Sequence, residues 1–266
     1  MRLKHAGFGP TIDSLQRLFY ENGNAQNGHG APALQDNYLR WVEDAERVFE
    51  GNFSDTALLD GLHSRHYWEI RHINGQTPRP IPLILGEFKA QAARIEAAMA
   101  KLREMQAFAE RVGAVIVPDT SALIQGKFFE HFDWSVETGC GASVRLVILS
   151  MVLEELDQTK DRDRGRAQKR ARSVTKRLRE LARNVSPGEP VPFRDGGAFE
   201  VYFEDEWHIR RPIPDIEIID QALSIQEITS GKILLATADA TMEFRARLQG
   251  LEVFDMPTPA DDESDS

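Results

Sequence analysis

Between residues 113 and 256 the chain alternates short, β-branched apolar runs with helical stretches. The runs are Ala114-Val-Ile-Val117, Leu146-Val-Ile-Leu149, Ile233-Leu-Leu-Ala236 and a shorter one, Leu251-Glu-Val-Phe254. Runs of this kind suit strands buried on both faces, as in a parallel sheet. Phe199-Glu-Val-Tyr-Phe203 alternates instead, which suits an edge or half-exposed strand. Helical stretches fill the intervals at 151–160, 166–183, 215–229 and 241–249. Strands alternating with helices predict an α/β domain, a three-layer arrangement with helices covering both faces of a parallel sheet.

The first 112 residues read as a helical region. Residues 11–21 place Ile12, Leu15, Leu18 and Phe19 on one face, with Thr11 as N-cap; residues 22–30 are polar and Gly-rich and read as a loop. Helical spacing returns over 34–49, and a shorter helix starts near Ser54. The alternate prolines of Thr77-Pro-Arg-Pro-Ile-Pro82 read as a breaker. A long Ala-rich helix is expected over 86–112, with Ile95, Met99, Leu102, Met105, Ala109 and Val112 as its apolar stripe. That stripe suits packing on the rest of the chain or on a second copy. Residues 257–266 form an acidic tail with no core and are expected to be disordered.

In an open α/β sheet the working site lies beyond the carboxyl ends of the strands. Asp119 follows the first run, Glu154 and Glu155 follow the second, and Asp239 follows the third; Asp215 opens the preceding helix. Clustered carboxylates raise one another's pKa unless a cation is present. Mg²⁺ or Mn²⁺, hard ions that prefer carboxylate and water oxygens, are the natural partners. One or two such ions generate hydroxide from water and stabilise the leaving oxygen of a phosphodiester. Each acid alone has a plainer reading: Asp119, Asp215 and Asp239 as helix caps, Glu154 and Glu155 as first-turn acids favoured by the helix dipole.

Taken together, residues 113–256 resemble a PIN-domain nuclease. Asp119-Thr-Ser-Ala-Leu123 is similar to that family's opening motif, with Ser121 a supporting hydroxyl. Val152-Leu-Glu-Glu-Leu-Asp157 is similar to the second, in which the acid precedes a Leu; this gives the role to Glu155 and leaves Glu154 facing solvent. Asp215-Ile-Glu-Ile-Ile-Asp-Gln-Ala222 is similar to the third, with Ile at +3 and Ala at +7 sharing one helix face. Pro214 and Glu217 depart from the common pattern there, so Asp220 or Glu217 remain alternatives to Asp215. Thr237-Ala-Asp239 resembles the final segment, with Thr237 orienting the fourth acid.

The resemblance implies an endoribonuclease that cuts single-stranded RNA, with Asp119, Glu155, Asp215 and Asp239 holding one or two Mg²⁺ or Mn²⁺ ions. Many relatives are toxins of toxin–antitoxin pairs and others process RNA, so an antitoxin-like protein partner is consistent with it; the expectation of a homodimer rests instead on the apolar stripe from Ile95 to Val112. A catalytically silent RNA- or protein-binding module and a structure-specific DNA nuclease are the alternatives. A haloacid-dehalogenase-type phosphatase is disfavoured, because Ser121 stands where that family needs its second Asp.

Charge separates the chain into two characters. The formal net charge is −10, yet residues 160–183 hold eleven Lys/Arg against three acids. A basic segment in an acidic chain predicts a local anionic partner, with Lys160, Arg164, Arg166 and Lys169 as the expected phosphate contacts. The aromatics Phe128, Phe129, Phe132 and Trp134 read as core or dimer-contact groups rather than base-stacking ones. The single cysteine, Cys140, excludes an intrachain disulfide and a thiolate metal cluster. No run is long enough for a membrane span or a secretory signal, so a cytoplasmic location is the expectation.

Overall fold

The computed structural model describes residues 3–4, 7–125, 128–162, 165–183, 185, 188–194, 196–204, 208–229 and 233–257. The chain divides into two compact units, residues 1–108 and 109–266. Among the described residues no helix is long and apolar enough to cross a membrane.

The first unit is helical: α1 (Phe8–Ala25), α2 (Gly30–Asn52), α3 (Ala57–Leu62), α4 (Arg65–Arg71) and α5 (Pro80–Ala109). Its core gathers Leu15, Leu18, Tyr38, Trp41, Phe49, Phe88, Ile95 and Leu102. Four sequence expectations are corrected here. Thr11 does not cap α1; it is buried inside it, and its hydroxyl donates to Asn52 Oδ1 at 3.2 Å. Asn22 does not open a loop; its amide donates to the Phe88 carbonyl at 3.2 Å, so a polar residue occupies the buried face and the helix runs on to Ala25. The prolines at 80 and 82 do not interrupt structure but begin α5, where the first N–H groups lack intrahelical acceptors in any case. The stripe on α5 is buried only as far as Leu102, the helix stops at Ala109, and Val112 is exposed.

The second unit runs β1 (Ala114–Pro118), α6 (Thr120–Gln125), α7 (Trp134–Thr138), β2 (Val144–Leu149), α8 (Ser150–Arg162), α9 (Arg166–Ala182), β3 (Val191–Arg194), β4 (Gly197–Tyr202), α10 (Pro214–Ile228), β5 (Ile233–Thr237), α11 (Ala240–Leu248) and β6 (Glu252–Asp255). The sheet order is β3-β4-β2-β1-β5-β6. All pairs are parallel except β3 with β4. The four predicted apolar runs become β1, β2, β5 and β6. The alternating run becomes β4, which is not an edge: β3 lies outside it, antiparallel and bulged between Pro192 and Arg194. A four-residue strand containing Pro carries too little pattern to be read from sequence. At the hairpin, Gly196 has φ +72 and a side chain there would collide with the Ala142 carbonyl, so the tight return to β4 requires glycine.

Central strands bury aliphatic side chains on both faces, with one ionic exception. Arg145 in β2 pairs with Glu200 in β4 at 3.2 Å, and Arg111 joins the same carboxylate. Phe129, Phe132 and Trp134 are buried, and Trp134 donates to the Phe129 carbonyl at 2.7 Å, which confirms them as core groups. The chain winds outward from β1 through β2 to β4, then returns to place β5 on the other side of β1. The crevice between the carboxyl ends of β1 and β5 is therefore the topological switch point, where open α/β sheets bind their ligands.

Candidate active site

Asp119 is the first residue past β1, and its N–H donates to the Ala236 carbonyl of β5 at 2.9 Å. Its carboxylate caps α6, accepting from Ala122 N–H at 2.7 Å. A cap needs one such bond, and Asp119 has more. Ser121 Oγ lies 2.8 and 3.0 Å from its two oxygens, and Thr237 Oγ1 donates to Oδ2 at 2.6 Å. Ser121 in turn accepts from Ala238 N–H at 2.8 Å, and Thr237 from Asp239 N–H at 3.0 Å. Two hydroxyls thus stitch the end of β1 to the end of β5 and present their protons to one carboxylate. Asp119 is only 6% exposed. Burial pushes its carboxyl above the usual range, the bonds from Thr237, Ala122 and Ser121 restrain the rise, and Asp239 adds to it.

Glu155 lies in α8, the helix that follows β2 directly. The Thr120 hydroxyl donates to its Oε2. Burial again raises the carboxyl, Thr120 opposes, and the charges of Asp119 and Asp215 raise it further. Asp215 follows Pro214 in the first turn of α10 and is not its N-cap, which is Ile213. Its side chain pairs with Arg245 of α11 at 2.8 Å. Asp239 caps α11, accepting from Thr241 and Met242 N–H at 2.7 and 3.2 Å. The four predicted acids are linked pairwise by like-charge repulsion: Asp239 acts on Asp119, and Asp119 and Asp215 act on Glu155.

The alternative acids are engaged elsewhere. Glu154 holds Arg210 through two bonds of 2.6 and 2.8 Å, and Arg210 also binds Glu204. Glu217 is fully buried and accepts from His208 at 2.5 Å, Gln221 at 2.6 Å and Arg211 N–H at 2.7 Å. Burial alone would raise the Glu217 carboxyl, but these donors together bring it below the usual range. Asp220 pairs with Arg211 at 2.8 Å. Of the four expected phosphate contacts, Lys160 is tied to Asp157 at 2.7 Å, Arg166 and Lys169 are exposed, and Arg164 lies outside the described residues. Residues 258–266 of the acidic tail do so as well.

Sequence reasoning overlooked Thr120, Arg245 and Arg210. Thr120 sits between two residues already singled out, so its place in the motif was the available signal. Arg245 and Arg210 gave none, since the candidate acids they hold, Asp215 and Glu154, are 30 and 56 residues away in the chain.

The PIN domain family model matches residues 116–257, more than half of the chain. The chain belongs to the PIN-domain family. No curated protein matches it. The matched segment of this PIN-domain protein begins inside β1 and ends just past β6, so it contains all four rim acids and leaves out the helical first unit. PIN domains are generally nucleases, so the second unit has a nuclease fold.

The rim suits a divalent ion in its chemistry. Its donors are hard carboxylate oxygens, and two of the carboxyls are destabilised as anions by burial and by neighbouring carboxylates. Among the described residues, no three His, Cys, Asp or Glu side chains stand close enough to enclose an ion by themselves. Mg²⁺ does not need that enclosure: it usually retains several waters and binds through one or two carboxylates together with substrate phosphate.

Proposed function

We propose that this PIN domain is a Mg²⁺- or Mn²⁺-dependent endonuclease that hydrolyses phosphodiester bonds of single-stranded RNA. The observation that carries the reading is the buried Asp119 carboxylate at the switch point, held by two hydroxyls beside the Glu155 carboxylate. Asp119 and Glu155 would hold the ion, with Asp239 and Asp215 adding negative charge at the rim. When bound, such an ion supplies hydroxide from water and charge stabilisation at the leaving oxygen. The residues of the chain supply position. Ser121, Thr237 and the Ala122 N–H fix both oxygens of Asp119, and Thr120 orients Glu155. Single-stranded RNA is favoured as substrate because the exposed Arg166 and Lys169 on α9 offer contacts to a phosphate backbone.

A non-cutting RNA-binding module is the second reading, and the Asp215–Arg245 pair favours it, since an internal cation already balances one rim acid. Incubation of labelled single-stranded RNA with wild type and Asp119→Asn in Mn²⁺ separates the two. The nuclease reading expects cleavage by wild type and a loss of about a thousandfold or more in the variant, with RNA binding retained. Equal inertness of both proteins, with RNA bound by both, would establish the binding module instead.

A further inference from the structure

α9 folds back along α8, fixed at one end by Gln168 and Arg172, whose side chains donate to the Lys160 carbonyl at 3.1 and 3.3 Å. Between the helices lies a cleft of about 280 Å³ lined by Lys160, Arg172, Thr175, Lys176, Arg179, Glu180 and Arg183. Five cations thus face a single carboxylate in the lining. Asp157 at the margin reaches Lys160 at 2.7 Å and Arg179 at 3.8 Å, and Glu180 reaches Lys176 at 3.8 Å. Glu180 is also shared with Arg177 at 3.6 Å. Two carboxylates, three of whose four contacts are long, leave the cleft positive in a chain whose net charge is −10.

Thr175 supplies the second, independent observation. Its residue is 9% exposed, its hydroxyl is buried, and that hydroxyl has no hydrogen-bond partner. A helical Thr ordinarily returns its proton to the carbonyl four residues back, and Thr229, the C-cap of α10, makes the same bond to Ile225 at 2.9 Å. An unpaired buried hydroxyl is unfavourable. Thr175 is among the residues lining the cationic cleft, which sets this unsatisfied donor close to where an oxyanion would sit.

We propose that this cleft binds a backbone phosphate of a single RNA strand, at a position flanking the linkage presented to the acid rim. This rests on the single-stranded RNA reading above. Lys160 follows Glu155 by five residues of α8, which is roughly 7.5 Å along the axis and 140° around it. The cleft and the rim therefore occupy different flanks of one helix. A strand lying across both engages the cleft only if it extends beyond the scissile linkage, so the cleft selects for length rather than for base sequence.

Anisotropy of a fluorescein-labelled 20-nucleotide oligo(U) strand, measured in EDTA across a salt series, tests this on the full chain. Lys176→Ala/Arg179→Ala removes two exposed cations with weak internal pairs. It is expected to weaken binding about tenfold and to flatten the salt dependence by about 1.4 in log–log slope, roughly 0.7 per phosphate contact. Lys89→Ala/Arg103→Ala removes the same charge from the first unit and is expected to leave binding unchanged. Thr175→Val is expected to weaken binding while the melting temperature holds or rises, because no unpaired hydroxyl remains. Unchanged affinity in the cleft double variant would overturn the proposal, as would full displacement of the strand by equimolar inorganic phosphate, which marks a site for free anions. Failure of wild type to cleave RNA in Mn²⁺ would refute only the nuclease reading, since binding in EDTA is scored without it.

Discussion

Replacing Thr237 with Val keeps the shape of a side chain that is 1% exposed and removes one hydroxyl. That hydroxyl donates to Asp119 Oδ2 at 2.6 Å and accepts from Asp239 N–H at 3.0 Å. A hydrogen bond to a buried charged group contributes about 1.5–3 kcal/mol, and the neutral one about 1 kcal/mol. Since one pKa unit corresponds to about 1.36 kcal/mol, loss of the first bond should raise the Asp119 carboxyl by a further 1–2 units, roughly. The sign follows from which form is stabilised. Thr237 favours the ionised carboxylate, so its contribution is present where Asp119 is charged and shrinks once pH falls below the Asp119 titration. In wild type that carboxyl is already raised by burial, so its own contribution runs the other way: stability is full at low pH and is lost as pH rises through the folded-state pKa. Thermal unfolding in EDTA at pH 8 should show Thr237→Val destabilised by about 2.5–4 kcal/mol, roughly 5–16 °C in Tm. Near pH 4 the deficit should fall to about 1 kcal/mol. If RNA cleavage is observed, the acid limb of its pH profile should move upward by the same 1–2 units, roughly. A deficit that is the same at both pH values, or an acid limb that moves down, would show that Thr237 does not act on the Asp119 charge.

The alternative acids give opposite outcomes from the rim acids. Glu217→Ala should cost about 3 kcal/mol or more in urea unfolding, because it strips three donors of their buried acceptor. Asp220→Asn breaks a pair whose Arg211 side chain is 62% exposed, and should change stability by less than about 1 kcal/mol with RNA cleavage retained. Arg245→Ala removes the cation paired with Asp215 while both partners are partly exposed. Stability should hold within about 1 kcal/mol, and Mn²⁺ affinity by titration calorimetry should rise several-fold; a fall in affinity would mean that Arg245 supports the rim rather than competes for it.

The sheet was legible in the sequence because a buried parallel strand must be apolar on both faces, and that demand leaves a continuous run at each of β1, β2, β5 and β6. β3 escaped because a short strand containing Pro has no such run. In the first unit two of the misjudged positions were Thr11 and Asn22, polar residues that occupy buried helix faces. Polarity predicts exposure only while no partner is known, and their partners are 41 and 66 residues away.

The rim follows the same division. Which acids follow which strands is a local property, readable once the strands are located, so Asp119, Glu155, Asp215 and Asp239 could be named from the chain alone. That Asp119 takes its protons from Ser121 and Thr237, the latter 118 residues distant, is decided by the return of β5 to the side of β1. The internal neutralisation of Asp215 by Arg245, the engagement of Glu217 with His208, and the unpartnered hydroxyl of Thr175 are likewise tertiary facts. Periodicity and strand-end position are imprinted residue by residue by solvent exclusion, whereas the partner of each buried charge or hydroxyl depends on which distant backbone the fold brings beside it.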